Sequence, residues 1–143
     1  MVTLNQLGLA PRIDPARLPN LAKSLGEFFV SESLTGYVVG GAVRDAILGR
    51  LSEDLDVSIE ENVDAFSVAD KLSTKFGGRA VLLSKKRKTA RLMLVEKNSV
   101  LNVDISNATN GITTDLSKRD FTIDAMAVDL TSIVADHWPT LID

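Results

Sequence analysis

The sequence predicts a mixed α/β domain: one β-sheet of about five strands with helices packed on it. Three observations predict this. Apolar residues recur at helical spacing in three stretches, apolar and polar residues alternate in others, and glycine pairs separate the two kinds. Residues 1–18 carry Pro11 and Pro15 without a clear period and are expected to form a loosely ordered lead-in, leaving 19–143 as the domain.

From Pro19 onwards Leu21, Leu25, Phe28 and Phe29 mark an amphipathic helix reaching about Glu32. Gly36 admits the short apolar run Tyr37, Val38 and Val39, a buried strand that Gly40 and Gly41 interrupt. A helix over 42–48 follows, with Val43, Ala46 and Ile47 on one face and Gly49 as its stop. Residues 54–59 alternate, with Leu55, Val57 and Ile59 on one face and Asp54, Asp56 and Ser58 on the other. A second amphipathic helix over 64–76 rests on Phe66, Ala69, Leu72 and Phe76, and Gly77-Gly78 ends it. Strands are expected over 79–83, 89–96 and 100–106, with Asn98 and Ser99 turning between the last two.

Composition narrows the function. The 143 residues are 45% hydrophobic and 24% charged, which suits a domain with an ordinary core and excludes collagen-like or wholly disordered chains. No apolar window is long enough to span a membrane, and no basic-then-apolar leader opens the chain, so a cytoplasmic protein is expected. The absence of cysteine removes disulfides, thiolate metal sites and cysteine nucleophiles. One histidine, His137, excludes multi-histidine centres, which leaves carboxylate oxygen and hard ions such as Mg²⁺ or Mn²⁺. With a net charge of −3 the chain is no polycationic nucleic-acid coat, so any nucleic-acid contact must be local.

The chemistry concentrates in Gly40-Gly41-Ala42-Val43-Arg44-Asp45 and, ten residues on, Asp54-Leu55-Asp56. A glycine pair between strand and helix lets backbone N–H groups approach an anion, and Arg44 adds a forked donor for phosphate oxygens. Alone, that pair more often marks a tight turn beside a surface arginine. Asp54 and Asp56 share one strand face, where two carboxylates repel unless a cation lies between them. A divalent ion removes that penalty, and a pair of ions could clamp the attacking and leaving oxygens of a phosphoryl displacement. A solvated strand face explains the dyad equally well. Asp104 alternates with Val103 and Ile105 and reaches the same cleft if its strand lies near Asp54. Later, Arg119 and Asp120 precede the apolar block of Phe121, Ile123, Ala125 and Met126. Lys85, Lys86, Arg87, Lys88 and Arg91 form a basic run suited to RNA phosphates, although a solvated hairpin tip is its commoner meaning.

Taken together, Gly40-Gly41-x-x-Arg44-Asp45, Asp54-x-Asp56 and Arg119-Asp120-Phe121-Thr122-Ile123-x-Ala125-Met126 resemble the head domain of class II CCA-adding tRNA nucleotidyltransferases and bacterial poly(A) polymerases. That family lies within the DNA polymerase β-like nucleotidyltransferase superfamily. The resemblance covers about residues 36–143. It implies that Asp54, Asp56 and Asp104 are catalytic metal ligands for two Mg²⁺ ions, with Mn²⁺ as a substitute. It also implies that Gly40, Gly41, Arg44, Asp45, Arg119 and Asp120 bind the nucleoside triphosphate. The implied reaction transfers AMP or CMP from ATP or CTP to an RNA 3′-OH, that of tRNA above all, and releases pyrophosphate. Asp124 stands where the family usually has asparagine, and the segment 107–117 is shorter than in CCA-adding members. The family's neck and body domains, which choose the base and hold tRNA, are expected beyond Asp143 or on a partner chain. Two rival functions follow: a nucleotide- or RNA-binding module that needs such a partner, and a superfamily nucleotidyltransferase acting on a protein or small molecule.

Overall fold

The computed structural model describes residues 20–47, 54–96, 99–108, 110–118, 126–133 and 141–142. The expected lead-in over 1–18, the Arg119-Asp120 block and His137 lie outside them. In chain order the elements are α1 (Asn20–Ser31), β1 (Gly36–Val39), α2 (Gly41–Ile47), β2 (Leu55–Ile59), α3 (Ala65–Phe76), β3 (Arg79–Ser84), β4 (Thr89–Glu96), β5 (Ser99–Asn107), α4 (Ile112–Ser117), β6 (Ala127–Asp129), a 3-10 turn (Leu130–Ile133) and β7 (Leu141–Ile142). Among the described residues the strands form one seven-stranded sheet in the order β3-β4-β5-β2-β1-β6-β7. Its pairs are antiparallel except β2 with β5, so the sheet is mixed.

The expected fold class is therefore the observed one, with more strands than the five anticipated. β6 and β7 have three and two residues, too short for an alternation to show in sequence. α4 was also not anticipated, because one and a half turns carry little periodicity.

Each face of the sheet has its own apolar cluster. Ala22, Leu25, Phe28 and Phe29 of α1, with Val68, Ala69 and Leu72 of α3, cover Val38, Leu55, Val57, Ile59, Ala90, Leu92, Val103, Ile105 and Val128. α3 begins at Asp64, whose carboxylate accepts from the Ser67 backbone N–H at 3.3 Å and from its hydroxyl at 2.8 Å. On the opposite face, among the described residues, Leu116 and Ile112 of α4 pack on Tyr37, Val39 and Ala127 and cover it in part. Beside that patch the same face carries Asp56 of β2, Asn102 and Asp104 of β5, and Arg91 of β4.

The loop from β2 to α3 is tied to the end of β5. The Asn107 amide donates to the carbonyls of Glu60 at 2.6 Å and of Val63, while the Ala108 N–H donates to the Ile59 carbonyl at 2.9 Å. Among the described residues no helix is long and apolar enough to cross a membrane.

Candidate active site

Alternation in β2 sends Leu55, Val57 and Ile59 into the core, each no more than 2% exposed, and turns Asp54 and Asp56 to the partly covered face. The sheet order decides what meets them. β5 runs parallel to β2 with Asp56 opposite Asp104, and β4 runs antiparallel to β5 with Arg91 opposite Asp104. Across the sheet the row reads Arg91, Asp104, Asp56, Val39, Ala127. Neighbouring strands lie roughly 4.8 Å apart, so the two carboxylates are cross-strand neighbours. Asp54 stands one step before this row, and its Oδ1 accepts from the Asn102 backbone N–H at 3.4 Å.

Gly40 closes the row on the β1 side. It has φ +70°, and a Cβ there would lie 3.3 Å from Asp56 Oδ2, so a side chain would be strained and would crowd the carboxylate. Its carbonyl accepts from the N–H groups of Val43 and Arg44, both at 3.2 Å. The Arg44 guanidinium folds back over Gly41, where an added Cβ would lie 3.2 Å from Nη2. Arg44 Nε also donates to Asp45 Oδ1 at 3.3 Å. Gly40, Gly41, Arg44 and Asp45 are thus gathered at the end of β1 next to Asp56. Arg119 and Asp120 lie outside the described residues.

The residue missed in the sequence is Arg91. Its Nε donates to Asp104 Oδ1 at 2.7 Å and its Nη2 to Asp104 Oδ2 at 3.0 Å, a forked pair that occupies both carboxylate oxygens. The Asp104 hydrogen bond, then its charge, then the charges of Asp54 and Asp56 hold the guanidinium pKa above its ordinary value against partial desolvation. The shift bears only on strong alkali, so Arg91 is a fixed cation through the neutral range. The signal was present in the sequence. Ala90, Leu92 and Leu94 alternate into the core, which places Arg91 on the face of the carboxylates. Arg91 belongs to β4 and not to the hairpin tip, which is Lys85, Lys86, Arg87 and Lys88, all exposed. A cavity of about 400 Å³ at that tip is lined by Lys86, Arg87, Lys88, Glu61 and Asn107, at the far end of the strands from Asp56.

Tyr37 shares the face but not the chemistry. Burial first, then Asp129 and Glu60, push its phenol above the ordinary value, so it stays neutral while packing near Leu116.

Among the described residues no three acidic or histidine side chains gather as a group that could hold a metal ion. The donors on this face do suit a hard ion, since Asp54 and Asp56 are both carboxylates. On the same face of β5, the Asn102 Oδ1 is buried with no hydrogen-bond partner among the described residues, a further oxygen donor.

Comparison with known proteins gives this geometry its family. The family model for the Poly A polymerase head domain matches residues 36–139. The chain belongs to that family. The match takes in the whole face just described and the motif residues beyond it. Among curated relatives, the CC-adding tRNA nucleotidyltransferase of Geobacter sulfurreducens is 35% identical over 82% of this chain and 26% of its own length. The A-adding tRNA nucleotidyltransferase of the same organism is 34% identical over 93% of this chain and 15% of its own length. Among solved structures, the Thermotoga maritima CCA-adding enzyme complexed with tRNA superposes with a TM-score of 0.73 at 38% identity, covering 92% of this chain and 30% of that one. A CCA-adding enzyme in complex with CTP gives a TM-score of 0.72 at 34% identity, covering 87% and 29%. The head domain described here spans about a quarter or less of those curated relatives.

Proposed function

We propose that this chain is the catalytic head of a template-independent RNA nucleotidyltransferase that adds CMP or AMP to the 3′ end of tRNA in the cytoplasm. The observation that carries the reading is the row itself: Asp56 opposite Asp104, with Asp54 beside them and the Gly40-Gly41 turn against Asp56. A surface salt-bridge patch needs no such alignment, whereas a phosphoryl transfer site needs carboxylates and a close-approach turn together. That CC-adding and A-adding enzymes stand among the relatives supports both nucleotides as substrates.

In this reading Asp54 and Asp56 hold Mg²⁺, with Mn²⁺ as a substitute. When bound, the ion neutralises charge on the triphosphate and on the attacking oxygen. The open turn at Gly40 and Gly41 leaves room for the triphosphate, Arg44 supplies a donor to its oxygens, and Asp45 holds the Arg44 side chain. Arg119 and Asp120 serve the same group by their motif. Asp104 accepts a hydrogen bond from the primer's 3′-hydroxyl and aims it at the α-phosphorus. The new bond joins the 3′-oxygen to that phosphorus while the bond to the β-phosphate oxygen breaks. Pyrophosphate leaves with the electron pair, and the hydroxyl proton passes to water.

The test uses the protein as its gene encodes it, with tRNAs lacking one, two or three terminal nucleotides and labelled CTP or ATP. Mg²⁺-dependent extension of the tRNA 3′ end, abolished by a chelator, is expected. Nucleotide binding without extension would contradict the reading and favour a binding module that needs a partner chain.

A further inference from the structure

Three carboxylates on one sheet face need positive charge close by, because like charges on opposed strand positions destabilise the sheet. Among the described residues Arg91 supplies that charge to Asp104. Arg91 lies on the β4 side of Asp104, and both of its bonds go to Asp104, one to each oxygen. Asp56 of β2 and Asp54, just before that strand, lie on the other side. For Asp104 to ligate an ion it would have to share an oxygen with the guanidinium and bring two cations together. The row therefore runs from Arg91 through Asp104 to Asp56, with Asp54 one step along, and an ion held by Asp54 and Asp56 would leave the Arg91 fork on Asp104 intact.

We propose that Arg91 is a positioning residue: it fixes Asp104 as the acceptor for the substrate hydroxyl and keeps it out of the metal's ligand set, which is left to Asp54 and Asp56. The inference rests on the function proposed above and assigns separate tasks within that site. A planar fork suits the task better than an ammonium, because two parallel bonds fix the plane of the carboxylate as well as its position.

The test is the charge-neutral double variant Arg91→Met with Asp104→Asn, compared with wild type and Arg91→Lys. Replacing both partners leaves no unpaired charge, so the fold is retained, as melting temperature will report. Binding of Mn²⁺ alone is followed by electron paramagnetic resonance without substrate. The double variant is expected to keep its Mn²⁺ dissociation constant within about threefold of wild type. Its single-turnover transfer to tRNA is expected to fall by roughly 10²–10³-fold. Arg91→Lys, which keeps the charge and loses the fork, should retain Mn²⁺ affinity and show an intermediate kcat with little change in nucleotide KM. A loss of Mn²⁺ affinity of about tenfold or more in the double variant would make Asp104 a ligand and overturn the inference. Wild-type transfer by the double variant would overturn it too, since the pair would then be only structural. Wild-type protein that neither binds Mn²⁺ nor extends tRNA would instead remove the function on which the inference rests, and the inference with it.

Discussion

Asp56→Asn is expected to lower the single-turnover rate of nucleotide transfer by about a thousandfold or more. Asp56 sits at the centre of the row, between Asp104 on β5 and the Gly40 turn on β1. Asparagine keeps the volume and the strand but removes the charge that a cation needs, so the loss falls on chemistry and not on folding. The carboxylate side chain is exposed and turned away from the core, so the melting temperature should change by only a few degrees. Measured rates with tRNA, together with thermal melts of the variant and wild type, separate the two. Full activity in the variant would contradict the proposed site.

Phe29→Ala is expected to have the largest effect on stability, a loss of about 3–5 kcal/mol. Phe29 is fully buried, meets the Phe28 ring edge-on at 5.9 Å, and lies so close to Gly36 that a Cβ there would run into its ring. α1 and the start of β1 are therefore interlocked through this one side chain. Alanine leaves a cavity that the backbone at Gly36 cannot fill without moving β1, whose other end carries Gly40 and the site. Since domains of this size are stable by only about 5–15 kcal/mol, the variant will unfold well below the wild-type urea midpoint. A shift corresponding to less than about 1 kcal/mol would mean that α1 is not part of the core.

What was legible in the sequence depended on range. Alternation with a period of two is a local property, so Asp54, Asp56 and Asp104 could each be assigned to a polar strand face from their apolar neighbours. The turn at Gly40 and Gly41 was legible for the same reason. Which strands lie side by side is not local. β2 and β5 are separated by α3, β3 and β4, so the Asp56–Asp104 pairing had to await the sheet order. Arg91 shows the cost of reading composition before period. Grouped with four lysine and arginine residues it looked like part of a solvated tip, although the alternation of β4 already turned it toward the carboxylates. α4, β6 and β7 were missed because elements of two to six residues are set by tertiary contacts and not by a pattern of their own: α4 and β6 pack with Val39 and Tyr37, and β7 pairs with β6. Arg119 and Asp120 were legible as a charged pair before an apolar block, and the resemblance gave them their nucleotide-binding role.

The central claim is that Asp54 and Asp56 hold a divalent ion beside a triphosphate at Gly40 and Gly41. Its most direct test is a crystal of the protein grown with Mn²⁺ and a non-hydrolysable analogue of CTP or ATP, measured at the manganese absorption edge. The account predicts an anomalous peak in ligand contact with both Asp54 and Asp56, with triphosphate density over the Gly40-Gly41 turn and Asp104 still forked by Arg91. An ion bound away from these two carboxylates, or a triphosphate bound elsewhere on the sheet, would contradict it.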